Sequence, residues 1–306
     1  MAGLVARIRS NPHLRFLTPP ILVDWAVVLI LGQATYYVEQ IYPYERDPAH
    51  YLKRPRLPVA SRRRTSSLLD QLTWYLPILV IVLVGGLFKR SLHDVHHGIL
   101  GLSASRAFMR MIVECIKNRV GRLRPDFFSR CQWDAVAHAC TGPLALVKDG
   151  RRSFPSGHSS TAWQGLFFLS LYLAGKNGAY AFAAPFPRSG PLQSRLLRLS
   201  IVLAPLFVAG WIVVTRLEDH YHHPTDVLAG SFIGASTAFF SYLTYYPSPL
   251  ILSTPPGSEE AEERLRVMER PKMVYGVKEV SDGWEEGERV EEGRVRLGGA
   301  DGEVVV

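Results

Sequence analysis

The chain has 306 residues, a formal net charge of +8, 47% hydrophobic residues and a mean hydropathy of +0.06. Its apolar residues collect in long runs separated by charge-rich loops, and that distribution excludes an ordinary soluble domain. Three cysteines are too few for a disulfide scaffold.

A hydrocarbon core about 30 Å thick needs roughly 20 mostly apolar residues per helix. After an N-terminal segment, residues 1–20, the first such run is Ile21–Val38. It is too long for a signal-peptide core and no small-residue cleavage pattern follows it, so it reads as a first span. The loop behind it carries Lys53, Arg54, Arg56 and the run Arg62–Arg64, which suits anionic lipid headgroups. Nucleic acid is a poor partner for these charges, because no soluble domain is left to present them. Leu69–Phe88 follows as the second run. His93, His96 and His97 have metal-site spacing, but just before a third span they read as interfacial histidines.

The third run is Gly98–Ile116, and Arg106, Arg110, Glu114 and Lys117 fall at helical spacing along one face of its helix. Charge of this kind faces a bundle interior or water, and an Arg110–Glu114 pair is expected to support a site. Cys115 reads as a packing residue, while Cys131 and Cys140 share one loop and either pair or remain thiols. The fourth run, Thr161–Ala174, is short unless its helix begins at Ser156. Leu197–Val214 is the fifth and Val227–Tyr246 the sixth, the latter with a Gly230-x-x-x-Gly234 pattern for close helix packing. Residues 251–306 are charged, lack a sustained apolar period and are expected to be disordered. The expected fold is all-α: a polytopic six-helix transmembrane bundle over residues 21–250.

Six spans put the loops after spans one, three and five on one membrane face. The third loop begins Lys117-Asn-Arg-Val-Gly-Arg-Leu-Arg124-Pro125 and ends Pro155-Ser156-Gly157-His158. The fifth reads Thr215-Arg216-Leu-Glu-Asp-His-Tyr-His222-His-Pro-Thr-Asp226. Lys117, Arg124 and Arg216 can neutralise a phosphate dianion, the arginines with forked hydrogen bonds. Ser156 and Gly157 sit where a helix should start, and free amides there bind phosphate. His222 can attack phosphorus if its other ring nitrogen donates to a carboxylate, and Asp226, four residues on with Pro224 between, can reach back under the ring. His158 is then the proton donor to the leaving alkoxide and later the base for water. No metal is needed, because three cations cover the charge a magnesium ion would balance. Arg122 and Arg119 read as headgroup or loop charges, His220 and His223 as accessory, and Glu218 and Asp219 as loop-shaping.

These residues resemble the type 2 phosphatidic acid phosphatase superfamily, specifically eukaryotic lipid phosphate phosphatases of the diacylglycerol pyrophosphate phosphatase kind. The family pattern is Lys-x6-Arg-Pro, Pro-Ser-Gly-His, then Ser-Arg-x5-His-x3-Asp. Lys117 with Arg124–Pro125, Pro155–His158, and Arg216 with His222 and Asp226 match it in spacing; Thr215 replaces the usual Ser. The resemblance implies six helices, a magnesium-independent hydrolysis of lipid phosphates through a phosphohistidine, and no cofactor. It also implies a lumenal or extracellular site with cytosolic termini. Counting Lys and Arg in the loops implies the reverse orientation. That count is contaminated by cations that bind phosphate, so the resemblance is followed. The spacings leave open a polyisoprenyl pyrophosphate phosphatase. The intact His158, His222 and Asp226 argue against a noncatalytic lipid-binding protein with a degenerate site, and activity in EDTA would exclude a metal-dependent intramembrane hydrolase.

Overall fold

The structure, a computed structural model, describes residues 18–48, 65–180 and 194–250. The expectations for the basic first-loop cluster, for most of the N-terminal segment and for the tail fall outside the described residues. Helix α1 (Pro19–Gln40) opens with proline in its first turn, where the missing amide costs nothing. Helix α2 (Leu68–Phe88) contains two widened π-helical stretches, Gln71–Tyr75 and Val82–Phe88. The first lies directly before Pro77, a residue that removes one regular helical hydrogen bond.

Helix α3 (Leu92–Val120) starts on Ser91, whose hydroxyl accepts from the Asp94 amide, and stops at the left-handed Gly121. Two short helices, α4 (Phe127–Cys131) and α5 (Leu144–Gly150), flank the hairpin of β1 (Trp133–Asp134) and β2 (Ala139–Cys140). Three more long helices follow: α6 (Gly157–Asn177), α7 (Arg195–Glu218) and α8 (Pro224–Tyr245).

Helix α6 is the axis of the bundle, packing most extensively on α8 and α7 and also on α3. The Gly230–Gly234 pattern makes the α6–α8 approach possible. A Cβ on Gly230 would clash with the Ser156 carbonyl oxygen, and one on Gly234 with the Ser160 carbonyl oxygen. The far end of the bundle is closed by a buried polar knot. Asp94 accepts there from Tyr172 Oη at 2.7 Å, Lys176 Nζ at 2.6 Å and Tyr246 Oη at 3.0 Å.

Among the described residues, four helices are long and apolar enough to cross a membrane: α1, α2, α7 and α8. They turn large apolar side chains outward, among them Leu29, Leu79, Phe207, Trp211 and Phe232. Such a belt suits lipid, and the protein is an integral membrane protein. Helices α3 and α6 are as long as these but more polar. Protein rather than lipid covers much of their surface, so they need less hydropathy. The sequence expectations also meet corrections here. Cys115 is exposed rather than packed, and Cys131 and Cys140 are free thiols within one small cluster. His97 is buried, its ring against His93, His96 and Tyr245, rather than interfacial.

The contrast between two glycines tests the packing. Gly234→Ala forces a methyl group into the α6 backbone and should cost about 1–3 kcal/mol. Gly32→Ala, with nothing within 4 Å of the new carbon, should be neutral or stabilise by up to about 1 kcal/mol. Thermal unfolding in detergent reads both, and equal effects would contradict the close approach.

Candidate functional site

The site lies at one end of the bundle, where α3 and α7 end and α6 and α8 begin. Three backbone bonds draw the distant segments together: Arg124 N donates to Gly150 O at 2.8 Å, Ser153 N to Arg122 O at 3.0 Å, and Ser156 N to Asp226 O at 2.9 Å. These bonds answer the central question left by the sequence. The beginning and end of the third loop and the start of α8 share one surface.

His222 is almost fully buried, and its Nδ1 lies 2.9 Å from the Ser153 carbonyl oxygen. A carbonyl only accepts, so Nδ1 carries the proton and Nε2 the lone pair. Burial pushes the His222 imidazole down to about 4, against the upward pull of Asp226. The ring is therefore neutral at physiological pH.

The expected hydrogen bond from His222 to Asp226 is corrected. Asp226 Oδ2 stands 3.8 Å from Nδ1, and the nearer Ser153 carbonyl takes the proton instead. Asp226 acts one step removed. Its Oδ2 accepts from Ser153 Oγ at 2.5 Å, and so fixes the residue whose carbonyl holds the ring. The same oxygen accepts the His223 amide at 3.0 Å, closing the first turn of α8. Its Oδ1 pairs with Arg122 Nη1 at 2.6 Å. Arg122 is thus part of the site rather than a loop or headgroup charge, held also by Thr225 Oγ1.

Each of the three motif cations is tied to a carboxylate. Lys117 Nζ meets Glu114 Oε1 at 2.8 Å, Arg124 Nη2 meets Asp149 Oδ1 at 2.9 Å, and Arg216 Nη2 meets Asp219 Oδ2 at 3.1 Å. The expected Arg110–Glu114 pair does not form. Arg110 reaches Glu39 at 3.5 Å, and Glu114 serves Lys117 and Arg152. The spacing would allow an Arg110–Glu114 contact along α3, but Glu39 from α1 and Arg152 from the loop compete for the two partners. The Thr215 hydroxyl accepts from Arg216 Nε and Nη2 at 3.3 and 3.2 Å, the service the usual serine could render.

Ser156 is also reassigned. Its amide is spent on Asp226 O, and its hydroxyl caps α6 by accepting from the Ser159 amide at 3.4 Å. The first-turn amides left without a helical acceptor are those of Gly157 and His158. A Cβ on Gly157 would lie 3.0 Å from Lys117 Nζ, so a side chain there would press on the end of that lysine. His158 is half-buried beside the Tyr221 ring, within electrostatic reach of Arg216, His222, Arg124 and Lys117. Sequence reasoning missed Ser153, Tyr221, Arg130 and Asp149. Tyr221 fills an unspecified position of the Arg-x5-His motif and the other three lie outside the motifs, so the spacings gave none of them a role.

Residues 98–249 match the PAP2 superfamily. Lipid phosphate phosphatase 2 of Arabidopsis thaliana is 37% identical over 241 residues, covering 74% of this chain and 77% of that protein. Diacylglycerol pyrophosphate phosphatase 1 of Saccharomyces cerevisiae is 30% identical over 237 residues, covering 72% of this chain and 77% of its own length. No solved structure matches.

Asp226→Asn keeps the shape of the junction but removes the charge that Arg122, Ser153 and His223 share. With Arg122 a quarter exposed, the loss should be about 2–4 kcal/mol rather than that of a fully buried pair. A thermal melt in detergent measures it, and an unchanged midpoint would show the junction to be incidental.

Proposed function

The chain belongs to the PAP2 superfamily, on its lipid phosphate phosphatase branch, and from that premise we propose that it hydrolyses phosphate esters of lipids with His222 as nucleophile. The substrates are phosphatidate, lysophosphatidate and diacylglycerol pyrophosphate. The observation that carries this reading is the His222 Nδ1 bond to the Ser153 carbonyl, which leaves Nε2 as a lone pair within the cationic cluster.

Lys117, Arg124, Arg216 and the amides of Gly157 and His158 receive the non-bridging oxygens of the phosphate dianion. Nε2 attacks phosphorus, the phosphorus–oxygen ester bond breaks, and protonated His158 gives its proton to the departing alkoxide. Burial and the neighbouring cations push the His158 imidazole down to about 3 in the empty site, and the bound dianion, by offsetting those cations, raises it again so that it can carry that proton. In the second half, neutral His158 takes a proton from water, and the hydroxide displaces Nε2 from phosphorus. Inorganic phosphate leaves, both imidazoles return to their starting states, and one water is consumed. Fixed positive groups already stand where charge spreads in the transition state, so positioning and electrostatics supply most of the rate.

The same reading takes α3 and α6 as inner spans beside the four apolar ones, giving six. It puts the site on the lumenal or extracellular face and the termini in the cytosol. The support is that all site residues gather at one end of the bundle, with α3, α6, α7 and α8 alternating in direction there. Protease protection of a tagged C-terminus tests the orientation.

His222→Ala should lose at least about a thousandfold in turnover. Activity on phosphatidate should survive EDTA, and radiolabelled phosphate should be trapped on the wild-type protein by a quench but not on the variant. Near-normal turnover in the variant would overturn the mechanism, and loss in EDTA restored by added metal would favour a metal-dependent hydrolase.

The pH profile follows from the direction of the His222 shift. Its pKa falls from near 6.5 to about 4, so the nucleophile stays neutral as pH drops through 6 and 5 and is protonated only near 4. The enzyme's acid limb of kcat/KM should therefore lie near 4. Substrates of different phosphate acidity separate it from the substrate's own ionisation. An enzyme limb at 6.5 would show His222 to be solvated rather than buried.

A further inference from the structure

Tyr221 immediately precedes His222 and belongs to no apolar cluster among the described residues. Its ring instead meets four polar groups. The Arg124 guanidinium carbon lies 4.3 Å from the ring centroid and that of Arg130 4.8 Å. The His158 ring stands at 6.2 Å and 67°, and the His222 ring at 5.6 Å and 56°. A side chain kept only for packing would be expected among aliphatic neighbours. This one is half-exposed and surrounded by the groups that handle the phosphate.

The two guanidinium groups are built alike. Arg124 gives Nε to the Asp149 carbonyl and Nη2 to Asp149 Oδ1, both at 2.9 Å. Arg130 gives Nε to Asp126 Oδ2 at 2.8 Å and Nη1 to Asp149 Oδ2 at 2.9 Å. In each, two of three nitrogens are tied, leaving Arg124 Nη1 and Arg130 Nη2 buried and without a hydrogen-bond partner. With the edge of each plane anchored, the remaining freedom is rotation of the plane, which a flat aromatic face opposes. Asp149, with one oxygen for each arginine, offsets the repulsion between two cations sharing one ring.

The backbone delivers the ring to this place. The Tyr221 amide donates to Arg216 O at 3.2 Å and the His220 amide to Leu217 O at 3.0 Å, with His220 in the left-handed region at φ 54°. This is the helix-ending turn in which the second residue past the cap folds back over the last helical turn. It links Tyr221 directly to Arg216.

We propose that Tyr221 is a positioning residue for the phosphate clamp. Its face sets the planes of Arg124 and Arg130, and its edges set the two imidazoles relative to them. This rests on the phosphatase reading and adds to it a residue whose identity the spacing motifs leave unspecified, with Arg130 as a second guanidinium near its ring. All four of these contacts are made by the ring, and the hydroxyl adds only an interaction with Arg130.

Orthovanadate, which mimics the five-coordinate phosphorus of the transition state, tests this on the full-length protein in detergent by direct binding and by inhibition. Its affinity does not depend on the fraction of molecules that turn over, so a merely structural loss would not move it. Tyr221→Leu and Tyr221→Met should weaken vanadate roughly tenfold to a hundredfold, and whichever accumulates in membranes provides the comparison. Tyr221→Phe should rescue affinity to within about threefold of wild type. Arg130→Gln should weaken vanadate too, and should add little on a ring-free background. Wild-type affinity in the ring-free variants, a Phe variant as weak as they are, or full additivity with Arg130→Gln would each overturn the proposal. A wild-type protein that binds vanadate but leaves phosphatidate intact would sink the phosphatase reading instead, with the variant comparison still readable.

Discussion

The junction of Asp226, Ser153 and His222 is the constraint from which the rest of the site is measured. One buried carboxylate starts α8, pairs with Arg122 from the far side of the third loop and grips the Ser153 hydroxyl. The Ser153 carbonyl in turn holds the imidazole. Three parts of the chain are thereby referred to a single pair of oxygens. Removing a carboxylate with this many donors would leave several polar groups unpaired at once, and such groups are costly in a low-dielectric interior.

The cations follow the same logic. A cluster of buried positive charge repels itself, and here each motif cation is paired with a carboxylate: Lys117 with Glu114, Arg124 with Asp149, Arg216 with Asp219. The pairs hold the side chains in fixed directions before any substrate arrives. Pre-set direction is what a phosphoryl-transfer site needs, because its transition state asks for placed charge more than for covalent help. The Tyr221 ring stands among these pairs, with two imidazole rings beside it and two guanidinium groups near its face.

The bundle explains how so polar a site lives at the end of a membrane protein. The outer helices α1, α2, α7 and α8 present apolar side chains outward, while α3 and α6 run among them and carry much of the polar sequence. Glycines 230 and 234 bring α8 against α6 so closely that the Ser156 carbonyl lies where a side chain would otherwise begin. The approach sets the distance between His158 at the start of one helix and Asp226 at the start of the other.

Much of this was legible in the residues alone. Six apolar or amphipathic runs, the glycine spacing and the local motifs each depend on neighbours within a few residues. Periodicity and local geometry are enough for those, and the helices fall where the runs do. What the chain order could not reveal were partners drawn from elsewhere in the fold. Four-residue spacing suggested that Asp226 would take the His222 proton, yet a carbonyl 69 residues away does so. Arg122 looked like a surface charge until Asp226, 104 residues on, arrived beside it. Glu114 faced Arg110 on paper and Arg152 in space. A hydrogen bond is decided by which acceptor is nearest and best aimed, and for groups at helix ends that competition is settled only when the helices pack.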